Sequence, residues 1–252
     1  MTFDPAPPDD YGATASFRSD PHALLERDST SVVFFILGIR VRIDDFPVRE
    51  LPFLEEHYPG HYQAGGGDAD LRLQCRVEVG RRFVPPPSFD GEDVRIDLKR
   101  QDEHRFRLSL LCLDASFDLE KGEGEIVFSD LHYLVFRSSL ENLLRVVFAQ
   151  LLLRRRAFLF HSAGIIRDGR AYLFFGPSGS GKSTVTSFSR DFPALSDDMV
   201  AIDLSGKAPL ACRVPFFGLY PPEKKAEGNY PIAAIFRLRQ SQTEDRVVPH
   251  PP

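Results

Sequence analysis

The stretch FFGPSGSGKSTV, residues 174–185, constrains this chain more than any other. Gly176, Gly179 and Gly181 follow directly on an apolar run, where glycines would weaken an ordinary strand or helix. Together with Pro177, Ser178, Ser180, Lys182 and Ser183 they fit the pattern G-x-x-x-x-G-K-S/T in full, and Thr184 comes next. A backbone can surround a polyphosphate with N–H donors only where side chains do not intrude and some residues take positive φ. A helix starting near Gly181 would add its positive end. In such a loop Lys182 reaches the β and γ phosphates as a mobile charge, the Ser183 hydroxyl ligates Mg²⁺, and Thr184 is a weaker candidate contact. The expectation is a nucleotide site; the bland alternative is a glycine-rich turn.

What precedes the loop places an imidazole beside it. Asp168-Gly169 between two apolar runs is a two-residue hairpin signal, because a type I′ turn needs positive φ at both central positions. With Arg167 facing Arg170, each step outward moves one residue along both strands. His161 then falls opposite Gly176. After the loop, PALSDDMVAIDLSGK supplies carboxylates. A triphosphate site needs an acid for the metal and, for transfer to a hydroxyl, another to orient or deprotonate the acceptor. Asp197 and Asp198 point different ways on an extended chain and can divide those roles; a solvated turn is the alternative. Asp203, after the apolar MVAI, is a rival metal ligand.

The combination HSAGIIRDGRAYLFFGPSGSGKST with LSDD shortly after it resembles the HPr serine kinase/phosphorylase-related family over roughly residues 138–240, PIAAIFRLRQ included. The resemblance implies an α/β P-loop nucleotide-binding domain of HPr kinase/phosphoenolpyruvate carboxykinase type, here preceded by a mostly β N-terminal domain. It also implies an ATP-dependent phosphotransferase acting on a serine of a protein or peptide acceptor, with Lys182 and Ser183 on phosphate and metal, Asp197 as acceptor-side base, Asp198 as metal ligand and His161 near the acceptor. The segment by which such kinases engage their protein substrate is not matched after Asp198. A nucleotide-binding regulatory module without turnover and a small-molecule kinase therefore stand beside the protein-kinase reading.

The rest of the chain divides by periodicity. Residues 1–30 read as a loosely ordered arm. From 31 to 137 the period is two: Ile39, Val41 and Ile43; Leu71, Leu73, Cys75, Val77 and Val79; Val94, Ile96 and Leu98; Phe106, Leu108 and Leu110. Such alternation predicts half-buried antiparallel strands. FPVRELPFLEEHYPGH allows a short helix, and AGGGDAD and VPPPSFDGED read as turns. The third part, 138–252, opens with a helix over about 138–155, with Ser138 and Glu141 at capping-box spacing and Arg154, Arg155 and Arg156 at its negative end.

Composition narrows the partners. A net charge of −5 and a pI near 5.8 argue against nucleic acid. The longest apolar runs, such as VVFFIL, are well short of the roughly 20 residues of a membrane helix. Cys75, Cys112 and Cys212 lack metal-ligand spacing and read as buried thiols of a cytoplasmic protein. His57, His61, His104 and His132 read as scattered structural or exposed side chains, and Arg213, Arg237 and Arg239 as solvated strand positions. A homo-oligomer is left open.

Overall fold

The computed structural model describes residues 28–78, 81–84, 96–129, 133–218, 224–241 and 247–248. The expected arm up to residue 27, most of VPPPSFDGED, Val79, Val94 and His132 lie outside them. The strands are β1 (Ser29–Ile36), β2 (Ile39–Pro47), β3 (Tyr62–Ala64), β4 (Leu71–Glu78), β5 (Asp97–Arg100), β6 (Arg105–Leu110), β7 (Leu113–Asp118), β8 (Glu123–Ser129), β9 (Ala157–Phe160), β10 (Ser162–Arg167), β11 (Arg170–Phe175), β12 (Ala194–Ser196), β13 (Val200–Asp203), β14 (Leu210–Cys212) and β15 (Asn229–Arg237). The helices are α1 (Leu51–His57), α2 (Tyr133–Leu153) and α3 (Lys182–Phe188).

The expected α/β class does not hold. Strands take 45% and helices 18% of the described residues, in two large mixed sheets. The physical reason is visible in the connections. Several strands are joined by tight turns, and α3 after the glycine loop is only seven residues of KSTVTSF, rich in residues with modest helix propensity. No helical layer of the kind that flanks a parallel sheet on both faces can be built from such connections.

The first sheet runs β3-β1-β2-β4-β8-β7-β6-β5. In β4 the alternation reads directly onto burial: Leu71, Leu73 and Cys75 are buried while Arg72, Gln74 and Arg76 are exposed. The sheet is not wholly antiparallel as its alternation predicted, because β2–β4 and β4–β8 pair in parallel. α2 starts five residues earlier than expected, so Ser138 lies inside it rather than capping it. Its Leu140, Leu143, Leu144, Val147, Phe148 and Leu152 are at most 1% exposed. They join one core cluster that includes Phe34, Val41 and Leu71 of the first sheet and Ala201 and Cys212 of the second. Beyond its last turn Arg154 donates to the Leu119 carbonyl and Arg155 pairs with Asp70, so the arginines strap the helix end to the first sheet.

The second sheet runs β12-β10-β11-β15-β14-β13-β9. The hairpin register is the expected one, from Arg167 opposite Arg170 to Ser162 opposite Phe175, with Asp168 and Gly169 both at positive φ. β9 and β10 are one run of chain interrupted only by His161; β12 and β13 are another, interrupted by Asp197, Asp198 and Met199. β13 pairs antiparallel with β9, Val200 against Phe160, and β12 with β10, Ser196 against Gly164. Stepping from one pair to the other advances four residues along each run, so the register is kept across the opening of the ladder and shifts by one only beyond it, where Ile165 pairs with Ala194. Strands at opposite ends of the sheet order are thus continuous in the chain, which requires the sheet to curl back on itself. Among the described residues no helix is long and apolar enough to cross a membrane.

Candidate functional site

Strand polarity gathers the site at one end of the second sheet. β11 and β12 each run antiparallel to β10, and β15 runs parallel to β11. The carboxyl ends of β11, β12 and β15 therefore share one end. From them emerge the glycine loop, the Asp197-Asp198 pair and Leu238 to Gln240. Leu238 N–H donates to the Phe175 carbonyl at 2.7 Å, and Gln240 Nε2 donates to the Gly179 carbonyl at 2.6 Å, tying the third strand end to the loop.

The loop turns on backbone angles that side chains resist. Gly179 has φ +76 and Gly181 φ +101, the left-handed region where glycine is at no disadvantage. At Gly176 the requirement is space: a Cβ would stand 2.6 Å from Ser180 Oγ and 2.9 Å from the Leu238 carbonyl oxygen. Pro177, Ser178 and Gly179 are exposed, while Ser180 is half-buried with a buried hydroxyl that finds no partner. Lys182 begins α3, is 8% exposed, and donates through Nζ to the carbonyls of Gly176 (2.9 Å) and Pro177 (3.3 Å). Its ammonium thus sits inside the ring of the loop. Ser183 is half-buried and Thr184 exposed.

His161 and Asp198 meet in the open part of the ladder. His161 Nδ1 lies 3.0 Å from Asp198 Oδ1, and Arg145 Nη2, reaching in from α2, lies 2.9 Å from Asp198 Oδ2. Arg145 Nη2 also takes Glu141 Oε1 at 2.6 Å, its Nε is buried without a partner, and its guanidinium stands 5.5 Å from the centre of the Phe216 ring. The turn itself is held by buried Ser196, whose Oγ donates to the Phe216 carbonyl and accepts from the N–H groups of Asp198 and Met199. Asp197 faces elsewhere: it is 2% exposed and accepts the Gly218 N–H at 2.9 Å. Gly218 is required there, since a Cβ would come within 2.6 Å of Asp197 Oδ2.

Asp203 stands apart. It pairs with Leu210, which pairs with Pro231 near the start of β15, whereas the loop lies at the level of Arg237. Six residues of strand, about 20 Å, separate the two levels. Its Oδ1 accepts the Ser205 N–H at 2.8 Å, a local turn bond. Arg213, expected to be solvated, is 7% exposed and paired with Glu227, and burial pulls its pKa down. Two concavities of about 580 and 300 Å³ lie on the first sheet and beside the end of α2, not at the loop. A phosphate-binding loop is a ring of backbone donors and does not need a deep cavity.

Sequence reading missed Arg145, Glu141 in its bridging role, Gly218 and Gln240. The signal for the first two was there: a Glu-Arg pair four residues apart on a helix otherwise apolar on its inner side.

Among the described residues no three His, Cys, Asp or Glu side chains form a metal cage. Mg²⁺ beside a nucleotide does not use one; it takes one or two protein oxygens, phosphate oxygens and water. Ser183 Oγ, one residue past Lys182, fits that donor set. Asp198 fits it less well, because its Oδ2 already faces the Arg145 guanidinium and its Oδ1 the His161 ring. The sequence matches no protein-family model and no curated protein.

Proposed function

We propose that this protein is an ATP-dependent phosphotransferase acting on a serine hydroxyl of a protein or peptide. The single observation that carries the reading is the Asp198–His161 contact at 3.0 Å in the open ladder, at the same end of the sheet as a complete G-x-x-x-x-G-K-S loop. The likeness of this motif set to the HPr serine kinase-related family supports it. Lys182 and the loop amides would hold the β and γ phosphates, and Ser183 would hold Mg²⁺, which supplies charge neutralisation on the phosphates.

The geometry favours a division of the acids other than the one expected from sequence. Asp197 is buried on Gly218 and organises the turn. Asp198 is the acceptor-side base. As the acceptor oxygen bonds to the γ phosphorus, the bond between that phosphorus and the β–γ bridging oxygen breaks and ADP departs. The hydroxyl proton passes to Asp198. His161 beside the same carboxylate orients it and the incoming hydroxyl.

The test is incubation with ATP labelled in the γ phosphate, Mg²⁺ and protein or peptide acceptors. Labelled acceptor is expected with the wild type, none with Lys182→Ala, and only a slow residual rate with Asp198→Asn, which still binds ATP by calorimetry. Absence of any binding heat for ATP and Mg²⁺ would overturn the reading. One observation favours a regulatory module without turnover instead: both Asp198 oxygens are taken up by Arg145 and His161. That alternative predicts that Asp198→Asn leaves the protein's signalling output intact while Lys182→Ala abolishes it.

A further inference from the structure

We infer that Arg145 is the positioning residue of this site, aiming Asp198 from a helix that the first sheet holds in place. The inference rests on the proposed phosphoryl transfer and assigns a further residue to it. Asp198 is held from three directions: its backbone N–H by Ser196, its Oδ1 by His161 and its Oδ2 by Arg145. The two side-chain partners are not equivalent. The His161 side chain is 53% exposed, and its residue lies just outside the ladder. The Arg145 side chain is 26% exposed, its Nε is buried, and its helix neighbours Leu143, Leu144 and Val147 are packed in the shared core. Arg145 is therefore the fixed partner and His161 the adjustable one.

Glu141 completes the device. It accepts from the same Nη2 that meets Asp198, so a carboxylate lies on each side of one guanidinium nitrogen. One guanidinium is shared between two carboxylates, and its role at Asp198 is one of direction. With Oδ2 anchored by Arg145, Oδ1 keeps its direction as the adjustable His161 ring gives way to an acceptor hydroxyl. The first sheet enters the chemistry through this route. It contributes Phe34, Val41 and Leu71 to the core on which α2 is seated, and its Arg-strapped end is fixed by Asp70 and Leu119.

The test is a double-mutant cycle on the rate of labelled transfer, with ATP affinity measured in parallel. Arg145→Gln is expected to lower kcat about 100-fold while the KM for ATP stays within about twofold, and Arg145→Lys to recover part of the rate. In the Asp198→Asn background, Arg145→Gln should change nothing further, because the residue acts only through that carboxylate. Additive losses, or a raised KM with kcat kept, would overturn the inference and place Arg145 on the substrate. Thermal unfolding monitors the fold, and Arg145→Lys with Glu141→Gln carries the cycle should Arg145→Gln unfold. A wild type that transfers no label overturns the underlying reading; an active wild type with an additive cycle overturns this inference alone.

Discussion

His161 Nδ1 lies 3.0 Å from Asp198 Oδ1 where an antiparallel ladder has opened without losing its register. Were the ladder closed, Asp198 would stand opposite Ser162 and the two side chains would be fixed by strand geometry alone. In the opening they meet side chain to side chain, at the end of the sheet that carries the glycine loop. Removing the imidazole should leave the phosphate cup intact. His161→Ala is expected to lower transfer about 100-fold, the usual scale for an acid–base group, with ATP affinity within about twofold by calorimetry. A comparable loss of affinity would instead place His161 on the nucleotide.

Gly176 tests the cup itself. A methyl group there meets the Leu238 carbonyl oxygen at 2.9 Å, a backbone atom already fixed by the neighbouring Leu238 N–H to Phe175 bond. Gly176→Ala should reduce ATP affinity at least about tenfold, since roughly 1.4 kcal/mol of distortion suffices for that. Isothermal calorimetry decides it, and undiminished affinity would mean that the loop does not hold the phosphates.

In the first sheet Gly124 of β8 is the tightest position. A Cβ would lie 2.5 Å from the Ser116 carbonyl oxygen, 2.7 Å from Phe117 Cβ and 2.8 Å from Leu73 Cδ2. Gly124→Ala should cost about 3 kcal/mol, the upper range for overpacking, read as a lower urea midpoint at unchanged slope. A midpoint shift worth under about 1 kcal/mol would show that β7 and β8 can part freely.

Asp44 sets an acid limit. Burial pushes its carboxyl upward, but hydrogen bonds from Ser31, Arg72 and Arg42 together outweigh that and hold it below the ordinary carboxylate range. A folded pKa below the unfolded one contributes stability that is fully present above about pH 4 and is lost as pH falls through the lower value. Asp44→Asn should flatten the acid limb of a plot of unfolding free energy against pH. An unchanged limb would assign that slope to other carboxylates.

The thiols should be silent. Burial raises Cys75 and Cys212 to about 12, and thiolate is the reactive form. Iodoacetamide at pH 8 should modify neither in the native protein and both after denaturation, as mass spectrometry of the digested chain would show.

Local chemistry made the second sheet's centre legible. Asp168-Gly169 announced the hairpin, and its register placed His161 beside Gly176 before any fold was known. The overall class was not legible in the same way. A glycine loop followed by KSTVTSF reads as the start of a long crossover helix, and nothing in those residues reports that it stops at Phe188. The parallel pairings of β2, β4 and β8 were hidden for a related reason: alternation fixes which face a side chain takes, not which strand lies alongside. The Glu141–Arg145 spacing marks a polar pair on α2, but the Asp198 contact that gives Arg145 its place in the site comes from another element and is encoded by no spacing within the helix.

The opened ladder also sets how this chain can be altered. Both arms obey one count of residues across the gap, so the lengths of the His161 link and of the Asp197–Met199 link are matched to each other. Deleting one residue from either link would slip the pairing at the gap by one, setting Ala163 or Ala201 against the opposite face. Chains descended from a common ancestor with this one should therefore vary in what they carry at those links long before they vary in how many residues span them.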